Sequence, residues 1–491
     1  MKIPDDIKAI INILSEKGFE SFIVGGCVRD SLMGKNPDDW DIATKAEPEK
    51  VLALFTEKGF KSFYENDFGT VGVVLPFDSQ RKFSDLVEIT TYRTESEYSD
   101  QRRPDKVQWA KTIEEDLSRR DFTINAIAVK IQKEKTIILD FYQGQEDLQA
   151  KIVRAVGIAE ERFQEDALRM LRAVRFAATL GFTIEAETLA AIKKNSEWLK
   201  NISQERIKTE LIKVIMNRQA AKGIDLLKET GLLKEIIPEL IVGQGVTQNK
   251  HHIYDCYQHN LLTLDYAAQK NFNLYVRLAA LLHDIAKPAV KSGEGANATF
   301  YNHEVVGAKM AQTILSRLKL PKDDLAKIVK LIRYHLFYYN VGEVSESSVR
   351  RLVRQVGKEN MNDLLQLRMA DRIGSGVPKA EPYKLRHLKY LIEKTAQDPI
   401  SSKMLAVNGN DVMTILKIPA GPKIGWILNI LLEQILAEPK KNTKEYLHQE
   451  IEKLREISDK ELEKINEEAK IKINKIEIKK DTMTKEKYWV S

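Results

Sequence analysis

The stretch GGCVRDSLMGKNPDDWDIAT, residues 25–44, sets a Gly-Gly turn and an arginine just ahead of a crowd of aspartates. In a strand, residues two apart face the same side, so Asp39 and Asp41 present both carboxylates to one point while Trp40 and Ile42 turn to the core. Two unpaired carboxylates there repel. A divalent cation removes that cost, and Mg²⁺ favours carboxylates together with substrate phosphate oxygens. In DLVEITTYR the same alternation sets Glu88 opposite Val87 and Ile89, where it can supply a third carboxylate from a neighbouring strand. The apolar run FIV ends at Gly25-Gly26, and a helical CVRDSLM follows and closes at Gly34. Glycines at a strand-to-helix turn let backbone N–H groups approach a triphosphate, the helix start favours the anion, and Arg29 can grip phosphate oxygens with its fork. A metal site and a phosphate grip in one place predict two-metal nucleotidyl transfer, in which two Mg²⁺ ions activate an attacking hydroxyl and stabilise the leaving pyrophosphate.

A second set of residues lies on predicted helices. RRD at Arg119, Arg120 and Asp121 offers guanidinium groups for phosphate and a carboxylate for a ribose hydroxyl. Asp166 and Arg169 are three apart in EDALRMLRAVRF, hence on one helix face, and Arg172 and Arg175 continue a basic stripe that a lone salt bridge would not need. Farther on, YVRLAALLHDIAKP is an apolar helix that ends in His283-Asp284, an unusual place to bury a titratable pair. His259 lies upstream and Asp371 downstream, and neutral imidazoles with carboxylates suit Mn²⁺, Fe²⁺, Ni²⁺ or Zn²⁺ better than Mg²⁺. Lys287, just after the pair, either holds a phosphate or is merely solvated.

Elements must carry these side chains. At 491 residues the chain exceeds one hydrophobic core, and with 43% apolar residues it is not disordered. Up to about residue 140, the runs SFIVGG, GTVGVVLPF, DLVEITTY and TIILDF alternate with helical segments, which predicts a compact α/β domain. From about 150 the strand signals stop and apolar residues recur at helical spacing. A helical block over roughly 248–375 holds six of the eight histidines. The last fifty residues, mostly Lys, Glu and Ile/Leu, read as a solvated amphipathic helix, alone or packed on a partner. The expected division is 1–148, 149–245, 246–380 and 381–491. A net charge of +6 permits an RNA partner through a local patch without demanding one. Cys27 and Cys256 form no C-x-x-C pattern, and no apolar run is long enough to span a bilayer. A cytoplasmic, disulfide-free protein is therefore expected, with no membrane partner and no oligomeric state readable.

GGCVRDSLMGKNPDDWDIAT, RRDFTINAIA (119–128), YQGQEDL (142–148), EDALRMLRAVRF (165–176), ERIKTEL (205–211) and NGNDVMTILKIPAGPKIGWIL (408–428) together resemble the class II tRNA nucleotidyltransferase and bacterial poly(A) polymerase family. The resemblance implies an α+β fold: a DNA polymerase β-like nucleotidyltransferase head with a small mixed sheet, then helical neck, body and tail. It also implies that Asp39 and Asp41 bind the catalytic metals, that Gly26 and Arg29 contact the triphosphate, with Gly25 in the same turn, and that Arg119, Arg120 and Asp121 serve the ribose and phosphates. Asp166 and Arg169 are implied to pair with the base edge, with Arg172 and Arg175 toward the triphosphate; Asn125 reads as structural. Cytosine and adenine each show an amino donor beside a ring-nitrogen acceptor, which suits Asp166 and Arg169, whereas uracil and guanine set acceptor against acceptor. The substrates implied are CTP, ATP and the tRNA 3′ end.

The segment 99–109 resembles a flexible loop of CCA-adding members, which favours CCA addition. The order His259, His283-Asp284, Asp371 resembles the HD phosphohydrolase superfamily, with His303 and His335 where some members ligate a second metal. Such a domain either hydrolyses phosphate esters or serves as scaffold. Poly(A) polymerase of the same family, and an HD phosphohydrolase with an RNA-binding head, remain the alternatives.

Overall fold

In this computed structural model the described residues are 1–66, 69–96, 106–132, 135–248, 253–396 and 401–490. Residues 99–105 of the loop segment and His251 and His252 of the histidine block lie outside them. The amino-terminal part is built on nine strands: β1 (Ser21–Val24), β2 (Trp40–Thr44), β3 (Lys61–Asn66), β4 (Thr70–Val74), β5 (Leu86–Thr91), β6 (Arg93–Ser96), β7 (Lys106–Trp109), β8 (Ala128–Gln132) and β9 (Lys135–Leu139). Seven of them form one mixed sheet in the order β3-β4-β5-β2-β1-β8-β9, and β6 pairs with β7 as a separate hairpin. Within the sheet, β2 and β5 run parallel with Asp41 opposite Glu88, while β1 and β2 are antiparallel with Val24 opposite Asp41.

Alternation along these strands decides which face meets the core. Ile23, Trp40, Ile42, Val87 and Ile89 pack in one apolar cluster with residues of α1 (Asp5–Glu16), α2 (Gly26–Leu32) and α3 (Pro48–Glu57). Burying such side chains contributes roughly 1.5–3 kcal/mol each. Asp41 and Glu88 consequently face the other side. There α4 (Ile113–Ser118) covers part of the sheet through Ile113 and Leu117, which pack with Phe22, Val24, Ala43 and Tyr92.

After α5 (Gly144–Ala150) the chain is helical, through α6 (Ala159–Glu165), α7 (Leu168–Leu180), α8 (Ala186–Asn195) and α9 (Gln204–Met216). Strand signals do not quite stop at 150: β10 (Ile152–Val153) and β11 (Thr183–Ile184) form a short parallel pair. Only two residues long, neither carries a readable alternation.

The described chain falls into two units, Met1–Leu336 with Gln366–Pro378, and Phe337–Leu365 with Lys379–Ser491. Residues 337–365, placed with the histidine block from sequence, thus cluster with the C-terminal part. In that second unit the helix Asp459–Tyr488 is packed within its own chain. Leu462 and Ala469 bury in a cluster with Ile427, Leu431 and Ile435 of the helix Pro422–Ala437, and Asn429 donates to Asn466 Oδ1 at 2.9 Å. No described helix is long and apolar enough to cross a membrane.

Candidate functional site

The strand β2 begins at Trp40, so Asp39 sits in the bend just before it and Asp41 on its first outward position. Gly25 adopts φ +81°, a conformation that glycine enters without penalty, and a Cβ there would stand 3.4 Å from Asp41 Oδ2 and 2.9 Å from Arg120 Nη1. The aspartate, the turn and an arginine therefore meet at one point. Burial pushes the Asp41 carboxyl up and Asp39 adds to this, against the pull of Arg120. Glu88 is likewise raised, by burial and then by Asp41, Glu65 and Asp39. Glu65, which sequence reading did not single out, sits where the β3–β4 register shifts, and such bulges re-aim a side chain. This set of carboxylates is hard, oxygen-only and mutually repelling, which fits a Mg²⁺ ion.

A network of arginines borders the carboxylates. Arg29 donates from Nη1 to Asn125 Oδ1 at 2.8 Å and from Nε and Nη2 to Asp30 at 2.9 and 2.8 Å. Asn125 in turn donates to Asp121 Oδ1 at 3.0 Å, so this structural asparagine joins two of the expected nucleotide-binding residues. Arg172 donates to Asp121 Oδ2 from Nε at 2.8 Å and Nη2 at 2.5 Å. Burial pushes the Asp121 carboxyl up, but Arg172 and Asn125 outweigh it and hold it at about 2. Three guanidiniums, of Arg29, Arg172 and Arg175, lie 5.1, 5.5 and 3.9 Å from the centroid of the Phe176 ring, whose face attracts cations that would otherwise repel one another. Arg119 and Arg120 both donate to the buried Asp116, at distances from 2.7 to 3.2 Å.

The pair expected to read a base differs from its sequence picture. Asp166 is not on the helix with Arg169: it caps α6 with extended φ −147° and ψ 102°, and α7 starts only at Leu168. The two do not form an ion pair with each other. Arg206 of α9 instead grips Asp166 with both guanidinium nitrogens, at 3.2 and 2.7 Å. Arg169 is held by the Glu165 carboxylate and donates to the carbonyls of Arg162 at 3.1 Å and Arg119 at 2.9 Å. Glu210, one helical turn after Arg206, takes Arg175 at 2.5 Å and lies 4.0 Å from Arg172. The i,i+4 spacing of Arg206 and Glu210 in ERIKTEL was the available signal for both; their partners, some 35 to 40 residues away, were not readable.

The histidines form a separate centre. His259 lies on the helix Cys256–Gln269, His283-Asp284 follow the helix Leu274–Leu282, His303 opens His303–Arg317, His335 follows Lys322–Tyr334, and Asp371 lies on Met361–Gly374. Two groups of ligand atoms converge, His259 with His283 and Asp284, and Asp284 with His303 and His335, each set within 4.8 Å. Asp284 Oδ2 lies 3.1 and 3.2 Å from Nε2 of His259 and His283, whereas Oδ1 lies 3.4 and 3.7 Å from Nε2 of His303 and His335. Asp371 Oδ1 completes the first group at 3.4 Å from His259. The Nδ1 atoms of His283, His303 and His335 are bonded to the carbonyls of Ala280, Phe300 and Ile332 at 2.9, 2.7 and 2.7 Å, the arrangement that turns Nε2 toward a metal. Burial pulls His283 down, but Asp284 and Asp371 outweigh it and hold the imidazole up at about 10. Lys287 is not solvated: it donates to Gln248 at 2.6 Å and pairs with Asp284 at 2.6 Å. The cavity over this centre, about 840 Å³, is lined also by Arg368 and Arg372.

Family models match three stretches: the poly A polymerase head domain over residues 21–154, the "Probable RNA and SrmB- binding site of polymerase A" over 181–242, and tRNA nucleotidyltransferase domain 2 over 292–451. The CCA-adding enzyme of Lactococcus lactis is 32% identical over 92% of this chain and 99% of its own length. That of Ligilactobacillus salivarius is 45% identical over 47% of this chain, and the chain spans about half of that relative, 55%. The crystal structure of the Bacillus stearothermophilus CCA-adding enzyme in complex with CTP shares 29% identity over 92% of this chain and 98% of that one, with a TM-score of 0.59.

Proposed function

This chain belongs to the CCA-adding enzyme family, and from that premise we propose that it is a template-independent tRNA nucleotidyltransferase that adds cytidine, cytidine and adenosine to the tRNA 3′ end from CTP and ATP. The meeting of Asp41, the Gly25 turn and Arg120 at one point on the sheet supports this most directly. Asp39 and Asp41, with Glu88 as the third carboxylate, would hold two Mg²⁺ ions, which when bound supply the Lewis acidity for hydroxyl attack and pyrophosphate departure. Gly25 and Gly26 keep the backbone open to the triphosphate, and Arg29, Arg119 and Arg120 neutralise its oxygens. Asp121, kept ionised by Arg172, accepts from a ribose hydroxyl.

Asp166 accepts from the amino group of cytosine or adenine and Arg169 donates to the ring nitrogen. Arg206 orients the carboxylate while leaving it acceptor capacity, and Glu165 and two carbonyls fix Arg169. An unpaired buried group costs about 1–3 kcal/mol, so uracil and guanine are rejected without a nucleic-acid template. Arg172 and Arg175 brace this face through Asp121 and Glu210.

A second reading concerns the histidine centre. Convergent Nε2 atoms, with the Nδ1 atoms of His283, His303 and His335 held by carbonyls, fit one transition-metal ion at His259, His283, Asp284 and Asp371 and a second at His303 and His335, and Lys287, Arg368 and Arg372 in the cavity lining suit a phosphate ester. The absence of a membrane-crossing helix among the described residues and two buried free cysteines accord with a cytoplasmic enzyme.

The test uses tRNA transcripts ending before, within and after CCA, each offered CTP, ATP or both with Mg²⁺. Extension that stops at CCA supports the proposal, and a long adenosine tail on general RNA selects poly(A) polymerase instead.

A further inference from the structure

Asp116 is a buried carboxylate in the middle of α4, its side chain 1% exposed. Both of its oxygens are engaged. Oδ1 accepts from Arg119 Nη2 at 2.7 Å and Nε at 3.1 Å, and Oδ2 accepts from Arg120 Nη2 at 3.2 Å. Oδ1 also accepts the backbone N–H of Arg93, the first residue of β6, at 3.3 Å. Burial pushes this carboxyl up, but the two guanidiniums outweigh burial and keep it below the usual range, hence ionised. A buried anion is tolerated only where cations and hydrogen bonds satisfy it, and here all of them come from two consecutive arginines and one strand start. What the arrangement yields is fixed geometry: two long side chains lose their rotamer freedom before any ligand arrives. Arg120, so fixed, stands beside Gly25 and Asp41.

We propose that Asp116 is a positioning residue for nucleotide binding. It sets the reach of Arg119 and Arg120 toward the triphosphate and, through the Arg93 amide, ties that reach to the hairpin β6–β7. The inference rests on the reading of the two arginines as phosphate-binding. Because Asp116 touches no base-reading group, its loss weakens CTP and ATP alike.

Steady-state extension of a trimmed tRNA by D116N, D116E and R120A tests this. D116N is expected to raise KM for both nucleotides by about tenfold, with kcat and the CTP-to-ATP preference little changed. D116E, which keeps the charge on a longer arm, should fall between D116N and the parent. In an R119K/R120K background D116N should add nothing. A parental KM in folded D116N alongside a raised KM in R120A overturns the inference and leaves the arginine reading intact; a parental KM in R120A overturns the arginine reading itself. Should D116N fail to fold by circular dichroism, D116E decides: a several-fold KM rise for both nucleotides supports the inference, and a parental KM overturns it.

Discussion

At the scale of single residues, most of the chemistry lies in charges that would be unfavourable alone. Asp41 and Glu88 repel each other across adjacent strands, and their raised carboxyls record that cost. Asp121 is the opposite case. Its carboxyl is held at about 2 against an unfolded value near 3.9, so its stabilisation is fully present above about pH 4 and is lost as pH falls through about 2. Replacing it in D121N should lower unfolding free energy by about 2 kcal/mol at pH 7, with the gap from the parent narrowing toward pH 2 in acid titrations followed by circular dichroism. Asp166 carries the choice of base. In D166A, folded as the parent, CTP and ATP should lose their advantage over UTP and GTP; a variant that still prefers CTP and ATP as the parent does rules out this role. The facing of Asp41 and Glu88 was legible because a period of two assigns faces from a few residues, whereas Asp39 lies in the bend before the strand and outside that period. Arg206 was not legible, since its partner Asp166 arrives by folding from 40 residues away. Asp116 and Phe176 lie within four residues of arginines they hold and lacked only the burial that gives that spacing its meaning.

At the scale of elements, turns and close approaches decide what the sheet can present. The α5 segment shows how: a Cβ on Gly144 would stand 2.2 Å from the Thr123 carbonyl oxygen, while Thr123 donates to Asp147 at 2.6 Å and Arg154 clamps the same carboxylate. This contact fixes the short segment that bears Asn125 and thereby Arg29. Gly144→Ala should therefore destabilise by about 1–3 kcal/mol in denaturant titration and raise KM for both nucleotides. Gly25→Ala must meet Arg120 and strained φ together, and nucleotide addition should fall at least tenfold with little loss of helical signal. The strands and the glycine turn were readable from alternation and punctuation. The break between α6 and α7 was not, because EDALR continues a helical pattern and only the extended backbone of Asp166 interrupts it.

At the scale of the molecule, two separate charged centres lie in the unit Met1–Leu336 with Gln366–Pro378, the carboxylate site of the head and the histidine site at the end of the apolar helix Leu274–Leu282. The order of the histidines and aspartates along the chain was legible. Their bridging through one carboxylate, Asp284, was not, since it depends on five helices converging. Metal analysis of the purified chain should find a tightly held transition metal, and its removal by a chelator should lower the unfolding temperature, because a ligand that binds only the folded state stabilises it. D284N should abolish both effects. The long C-terminal helix shows a further limit: its Lys/Glu/Ile pattern fits solvent, a partner or its own chain equally, and only the packing of Leu462 and Ala469 distinguishes them. The most direct test of the head site follows incorporation of the first cytidine into a tRNA lacking its last three nucleotides, in a single turnover with Mg²⁺, by the parent, D39N and D41N. The expected result is addition by the parent and a loss of at least a thousandfold in each variant, with folding retained. Addition by folded D41N at near the parental rate would contradict it.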